Sequence, residues 1–215
     1  MSPTDLPVPG TPDILSAHSR TINGKEAMKR IIAVLALLLG GMAVWPSAPA
    51  HAVDYFQFRN VALGNCLTLV GSAAHDRAWI GHYPCDGSDG QKWRVENVGS
   101  ERVCVEDDWL FRFCIRWETV AAYRIHSKVT DKCVDLSDRK TESGTRVHQF
   151  SCSDHNSQKW YFVGNNDGSQ KILSVHASNS RAKTVAMEPS WDDPNKAQIW
   201  TSNGTALQTW NRVLG

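Results

Sequence analysis

The sequence has no surplus of either charge: 23 Lys+Arg stand against 22 Asp+Glu in 215 residues, a formal net charge of +1. That argues against a polybasic nucleic-acid or membrane-surface binder, whose affinity rests on a positive field. It has no apolar stretch of the roughly 20 residues that span a bilayer as a helix, and no convincing amphipathic helical period. Gly-x-Ser-x-Gly, His-Glu-x-x-His and a phosphate-cradling glycine loop are all missing. No Cys-x-x-Cys pair offers a zinc site, and the histidines are scattered. Neither an enzyme nor a bound metal or cofactor is expected. What the sequence does have is nine Trp, six Cys and fifteen Gly, with 41% hydrophobic and 21% charged residues. That composition excludes a wholly disordered chain and points to a loop-rich, all-β protein.

The first fifty residues differ from the rest. Met28-Lys29-Arg30 is basic, Ile31 to Trp45 is apolar or small, and Ala50-His51-Ala52 puts small residues at −3 and −1 of a cleavage site. This is the layout of a secretory signal peptide over 28–52, cut near Ala52 or earlier at Ala50. Residues 1–27, with Pro3, Pro7, Pro9 and Pro12, read as a disordered leader or an over-extended start. The exported product would be 53–215, with 19 Lys+Arg, 19 Asp+Glu and all six cysteines. It would be extracellular, with no membrane attachment after cleavage. An even cysteine count in an exported chain suggests three disulfides.

Residues 53–215 contain an internal duplication. Asn65-Cys66-Leu67-Thr68-Leu69 recurs as Lys132-Cys133-Val134-Asp135-Leu136, Cys85 as Cys152, and Gln91-Lys92-Trp93 as Gln158-Lys159-Trp160, all at an offset of 67 residues. Phe56 and Phe58 match Tyr123 and Ile125 at the same offset. A third copy keeps Gln208-Thr209-Trp210, with Ile172-Leu173-Ser174-Val175 standing for the strand after the first Cys, and Ile172 and Ser202 for the cysteines. Its extra residues are expected around Pro189–Pro194. Short alternating segments such as Ala78–Tyr83 and Thr145–Phe150, split by turn residues, read as strands. The repeats fall at about 55–97, 122–165 and 168–212, and together they suggest a closed three-fold β assembly. Fifteen disulfide pairings are formally open. Repetition favours Cys66–Cys85 and Cys133–Cys152, which leaves Cys104–Cys114.

A Cys-[Leu/Val]-x-[Leu/Val] strand, a second Cys preceded by an aromatic, and Gln-x-Trp, three times over, resembles the ricin B-chain lectin family. That family is also met as a carbohydrate-binding module on secreted bacterial glycosidases. The resemblance covers nearly all of 53–215 and implies a β-trefoil binding galactose-like or xylan-like sugars at up to three shallow sites. It also implies that Trp93, Trp160 and Trp210 are core residues and that Gln91, Gln158 and Gln208 brace loops. Sugar binding needs a carboxylate for vicinal hydroxyls and an aromatic face for the C–H side of the ring. Carried over, the second copy fits best, with Asp135, Phe150 and Gln158. Ser157 stands where the family has Asn, with Asn156 beside it and His148 near the rim. The first copy has Thr68, Tyr83 and Gln91 and the third Ser174, Trp200 and Gln208, each an aromatic without the acidic partner, so both read as degenerate.

Residues 98–121 are an insertion after the first repeat. Trp109, Phe111, Phe113, Ile115 and Trp117 alternate with Leu110, Arg112, Cys114 and Arg116, so one strand face is apolar. Arg102–Glu106 is the expected partner strand, turned at Asp107-Asp108. Its aromatic face either packs on the barrel or stands exposed as a ribbon for a protein or an extended polysaccharide. The reading is a secreted lectin for galactose- or xylose-type glycans. The alternative is a trefoil that has lost sugar binding and acts as a protein-binding or protease-inhibiting module.

Overall fold

The computed structural model describes residues 53–215 apart from 109, 111, 112 and 182. The expected leader and signal peptide lie outside the described residues, as do Trp109, Phe111 and Arg112 of the insertion. Among the described residues the fold comprises twelve strands, one short α-helix and five single-turn 3-10 helices. The first repeat supplies β1 (Phe56–Asn60), β2 (Cys66–Leu69), β3 (Ile80–Tyr83) and β4 (Trp93–Asp107). The second supplies β5 (Cys114–Ser127), β6 (Cys133–Leu136), β7 (Val147–Phe150) and β8 (Trp160–Gly164). The third supplies β9 (Gln170–Ser174), α1 (Val175–Arg181), β10 (Val185–Pro189), β11 (Ala197–Thr201) and β12 (Trp210–Leu214).

Six strands close a ring: β1 pairs β4, β4 pairs β5, β5 pairs β8, β8 pairs β9, β9 pairs β12, and β12 returns to β1. A closed ring leaves no exposed barrel edge. The other six form three hairpins, β2–β3, β6–β7 and β10–β11. Three pairings mark the internal three-fold: Phe56 opposite Trp93, Tyr123 opposite Trp160, and Gln170 opposite Trp210. This is a β-trefoil.

The three Gln-x-Trp tryptophans are fully buried in the core with Phe58, Ile125 and Ile172. Each indole N–H donates to a strand carbonyl: Trp93 to Leu67 at 3.0 Å, Trp160 to Val134 at 3.0 Å, Trp210 to Met187 at 3.1 Å. A buried indole needs such an acceptor, and these bonds tie each hairpin to the barrel. All three expected disulfides form: Cys66–Cys85, Cys104–Cys114 and Cys133–Cys152.

Two expectations need correction. Ile172 does not stand for a cysteine: it is a buried core residue of β9, in the place of Phe58 and Ile125. The strand after the missing cysteine is β10, where Ala186 pairs with Trp200 as Cys66 pairs with Tyr83 and Cys133 with Phe150. The third repeat's extra residues therefore lie between β9 and β10, and part of them forms α1, a helix that no period in the sequence announced.

The insertion is a hairpin formed by the outer parts of β4 and β5, closed by Cys104–Cys114. Its inner side is β4, not the aromatic face: Val103 is buried with Tyr161, Leu173, Val175 and Ala186. Asn179 of α1 accepts from the Cys104 N–H at 2.9 Å and donates to the Arg102 carbonyl at 2.9 Å. Phe113, Ile115 and Trp117 are exposed. The Arg102 guanidinium lies 5.3 Å from the Trp117 ring centre.

Candidate functional site

Each Gln-x-Trp glutamine ties together the loop before it. Gln91 accepts from the Asp86 N–H at 2.9 Å and donates to the Pro84 carbonyl at 2.9 Å. Gln158 does the same with Ser153 at 2.7 Å and Ser151 at 3.1 Å, and Gln208 with Asn203 at 2.8 Å and Thr201 at 3.0 Å. The same amide then reaches one further oxygen: Thr68 Oγ1 at 3.2 Å, Asp135 Oδ2 at 3.0 Å and Glu188 Oε2 at 3.0 Å. Glu188, not Ser174, is therefore the third repeat's counterpart of Asp135. Ser174 instead closes the first turn of α1, accepting from the Ala177 N–H at 3.1 Å. Matching copies by residue offset missed this, because the span from indole acceptor to Trp is 23 residues in the third repeat and 26 in the others. The alternating Val185-Ala-Met-Glu-Pro189 segment was the available clue.

In the second repeat these groups line a cavity of about 420 Å³ with Asp135, His148, Phe150, Ser157 and Gln158 on its walls, a volume within the usual range of small-molecule sites. Asn156 is not among the lining residues. His155 takes the position instead, together with Arg77, Asp138 and Arg139, none of which the sequence pattern singled out. Asp135 and His148 sit opposite each other across β6–β7, and the His148 ring stacks 6.0 Å from Phe150. Asp135 Oδ1 and His148 Nδ1 are both buried and have no hydrogen-bond partner among the described residues. Burial holds the His148 imidazole below its ordinary pKa, and the Asp135 charge only partly opposes this. His155 is also lowered, first by burial and then by the Arg139 cation. Three of the wall residues, Arg77, Asp138 and Arg139, have φ of 67°, 53° and 56°. That left-handed region is uncommon for side chains with a Cβ, and such strain gathers at binding sites.

The other two repeats differ. In the first, Thr68 replaces the acid and donates to the Cys66 carbonyl at 2.7 Å. Opposite it Gly81 lets the third repeat's loop lie directly on β3: an added Cβ would fall 2.3 Å from the Pro194 carbonyl oxygen. The Tyr83 hydroxyl is bonded to Asn195 of that loop. In the third, both Glu188 oxygens accept, from Gln198 at 3.0 Å and Gln208 at 3.0 Å, beside an exposed Trp200. His126 lies against the Cys133–Cys152 sulfurs, but these are joined in a disulfide and offer no thiolate. No helix among the described residues is long and apolar enough to cross a membrane.

Comparison with known proteins agrees with this geometry. Residues 116–213 match the family model described as ricin-type beta-trefoil lectin domain, and residues 44–107 match that described as ricin-type beta-trefoil lectin domain-like. No curated protein sequence matches the chain. Among solved structures, the designed three-fold symmetric protein ThreeFoil is 22% identical with a TM-score of 0.59, covering 74% of this chain and 97% of its own. An exo-beta-1,3-galactanase from Clostridium thermocellum is 21% identical with a TM-score of 0.60 over 79% of this chain, but only 32% of the enzyme is matched. The ricin B-like lectin of Macrolepiota procera, solved with lactose, is 15% identical with a TM-score of 0.52, covering 78% of this chain and 100% of its own. At these identities the likeness is one of fold. The chain thus matches ricin-type β-trefoil lectin family models over 44–107 and 116–213 and folds as a β-trefoil.

Proposed function

We propose that the chain is an exported carbohydrate-binding protein that takes a galactose- or xylose-type sugar in the second repeat and catalyses nothing itself. One observation carries the reading: Asp135 Oδ1 is buried without a partner in a cavity whose wall includes Phe150. An unpaired buried carboxylate oxygen is costly, and a ligand hydroxyl donating to it recovers that cost. Gln158 fixes the other oxygen, so the carboxylate is already oriented. Phe150 offers the face for the apolar side of the ring, and His148 Nδ1 stands ready for a neighbouring hydroxyl. Export is supported by the tripartite segment over 28–52 and by three disulfides, which persist in oxidising compartments.

The test is a glycan-array screen of oxidised 53–215, with Asp135→Asn beside it. Binding to galactose- or xylose-type glycans, weakened roughly 10-fold or more in the variant, is the expected result. A blank array from folded protein sinks the reading. The exposed Ile115 and Trp117 on β5 then favour the second reading, a protein-binding trefoil acting through the insertion.

A further inference from the structure

The cavity has a wall that a neutral sugar would leave unused. His155 Nδ1 accepts from the Ser157 N–H at 3.1 Å, which fixes the neutral ring as the Nε2–H tautomer. Its Nε2–H has no protein acceptor among the described residues. Beside it is His176 of α1, edge-on with ring centres 5.4 Å apart. His176 Nε2–H donates to the Arg139 carbonyl at 3.1 Å, gripping a residue held at φ 56°. The third repeat's extra helix thus buttresses the second repeat's cavity.

The charges lining this cavity are Arg77, Arg139, Asp135 and Asp138. Arg77 and Asp138 face each other at 3.4 Å, and Asp135 is the floor, bonded to Gln158. Arg139 has no carboxylate within ion-pair distance among the described residues. Lys159, the remaining cation near His155, is committed to Glu101 at 2.6 Å. Arg139 and His155 therefore line one cavity, and neither the guanidinium nor the imidazole Nε2–H has a carboxylate partner among the described residues.

Resting on the sugar-binding reading, we propose that the Arg139–His155 wall receives an anionic substituent, a carboxylate or a sulfate ester, of the sugar whose ring lies on Asp135 and Phe150. The preferred ligand is then an acidic glycan. A guanidinium and an imidazole N–H are donors suited to either anion, and charge-assisted hydrogen bonds exceed neutral ones. Burial lowers the proton affinity of His155 first, and the nearby Arg139 and His176 lower it further.

The experiment compares matched probes by calorimetry: galactose, galacturonic acid and galactose 6-sulfate, with xylobiose and a glucuronic-acid-bearing xylo-oligosaccharide as the second series. The variants are Arg139→Asn, which tolerates a positive φ, and His155→Gln. The charged member should bind on the order of 10-fold more tightly than its neutral partner. That advantage should shrink as salt is raised and disappear in Arg139→Asn, with neutral-sugar binding retained. Equal affinity within each series, with Asp135 still required, overturns the anion site and leaves the lectin reading standing. An advantage that survives both variants overturns it as well. Failure of every probe, charged and neutral, on folded protein removes the sugar-binding reading and this site with it.

Discussion

The second and third repeats share a strand pair, a Gln-x-Trp brace and a buried carboxylate, yet only one carboxylate has an oxygen to offer. The residue across the hairpin makes the difference. Opposite Glu188, Gln198 donates at 3.0 Å, so both oxygens are used within the protein. Opposite Asp135, His148 Nε2 lies 4.0 Å from Oδ2, beyond hydrogen-bond distance, and Oδ1 is left without a partner among the described residues. Capacity for a ligand is set by the cross-strand neighbour as much as by the acid itself. The first repeat makes the same point from the other side, since Gly81 yields its space to another repeat's loop.

The largest expected effect that separates the two repeats is on stability. Cys133–Cys152 closes a 19-residue span in the second, where the third has Ala186 and Ser202. Removing it with Cys133→Ser and Cys152→Ser should cost about 3 kcal/mol, seen in calorimetry as a melting temperature lower by roughly 6–12 °C. Adding Ala186→Cys and Ser202→Cys should return a gain of about that size if the third hairpin's ends approach as the others do, with Cα atoms 5.0 Å apart. A pair that stays reduced under oxidising conditions breaks the equivalence. A smaller effect tests the carboxylates themselves. Gln198→Ala should destabilise by about 1–3 kcal/mol, because it strips one donor from a buried charge. It also frees a Glu188 oxygen beside Trp200. Titration should then find a second sugar per chain. If stoichiometry does not change, an unpaired carboxylate next to an aromatic is not sufficient for a sugar site.

These contrasts also mark how far the sequence could lead. The duplication at a constant offset revealed the closed repeat assembly and the disulfide pairs, because copies of equal length superpose without a gap, whereas the trefoil, the core tryptophans and the joint placing of Asp135 and Phe150 were what the ricin B-chain resemblance implied. Glu188 was hidden because the third repeat lengthens one loop and shortens others, so offset counting slid Ser174 into its place. The helix over Val175–Arg181 has only seven residues, too few for a period to stand out. Ser174 and the packing of Val175 and Ala177 hold it there. His155 and Arg139 come to the cavity through a turn and a positive-φ step, and neither feature has a hydrophobic pattern. Asn156 seemed the better candidate only because it lay next to the family position. In the insertion only the end of the alternating segment, Cys114 to Trp117, lies in β5; Leu110 and Phe113 lie outside the strands, and Asp107 still pairs with Cys114 where the hairpin was expected to turn. Which strand faced inward depended on the contact between Asn179 and β4, which lies far away in sequence.

The smallest effect concerns protons at the same hairpin. His148 is buried opposite Asp135 and titrates below its ordinary value, whereas the third repeat has a glutamine there that does not titrate. Above about pH 6.5 the imidazole is neutral in both folded and unfolded chains and stability does not depend on it. As pH falls below that value the unfolded chain takes the proton first. Stability then declines by at most about 1.4 kcal/mol per pH unit for this group, and levels off once pH passes below the depressed native value. His155 adds a decline of the same sign, so His148→Gln should reduce the slope between about pH 6.5 and the native value without abolishing it. Denaturant unfolding at half-unit steps of pH would measure this. An unchanged slope in His148→Gln would mean that the folded state takes up the proton there as readily as the unfolded chain. The Asp135 charge would then fully offset burial, and the carboxylate would be closer to satisfied by its neighbour than the unpaired Oδ1 implies.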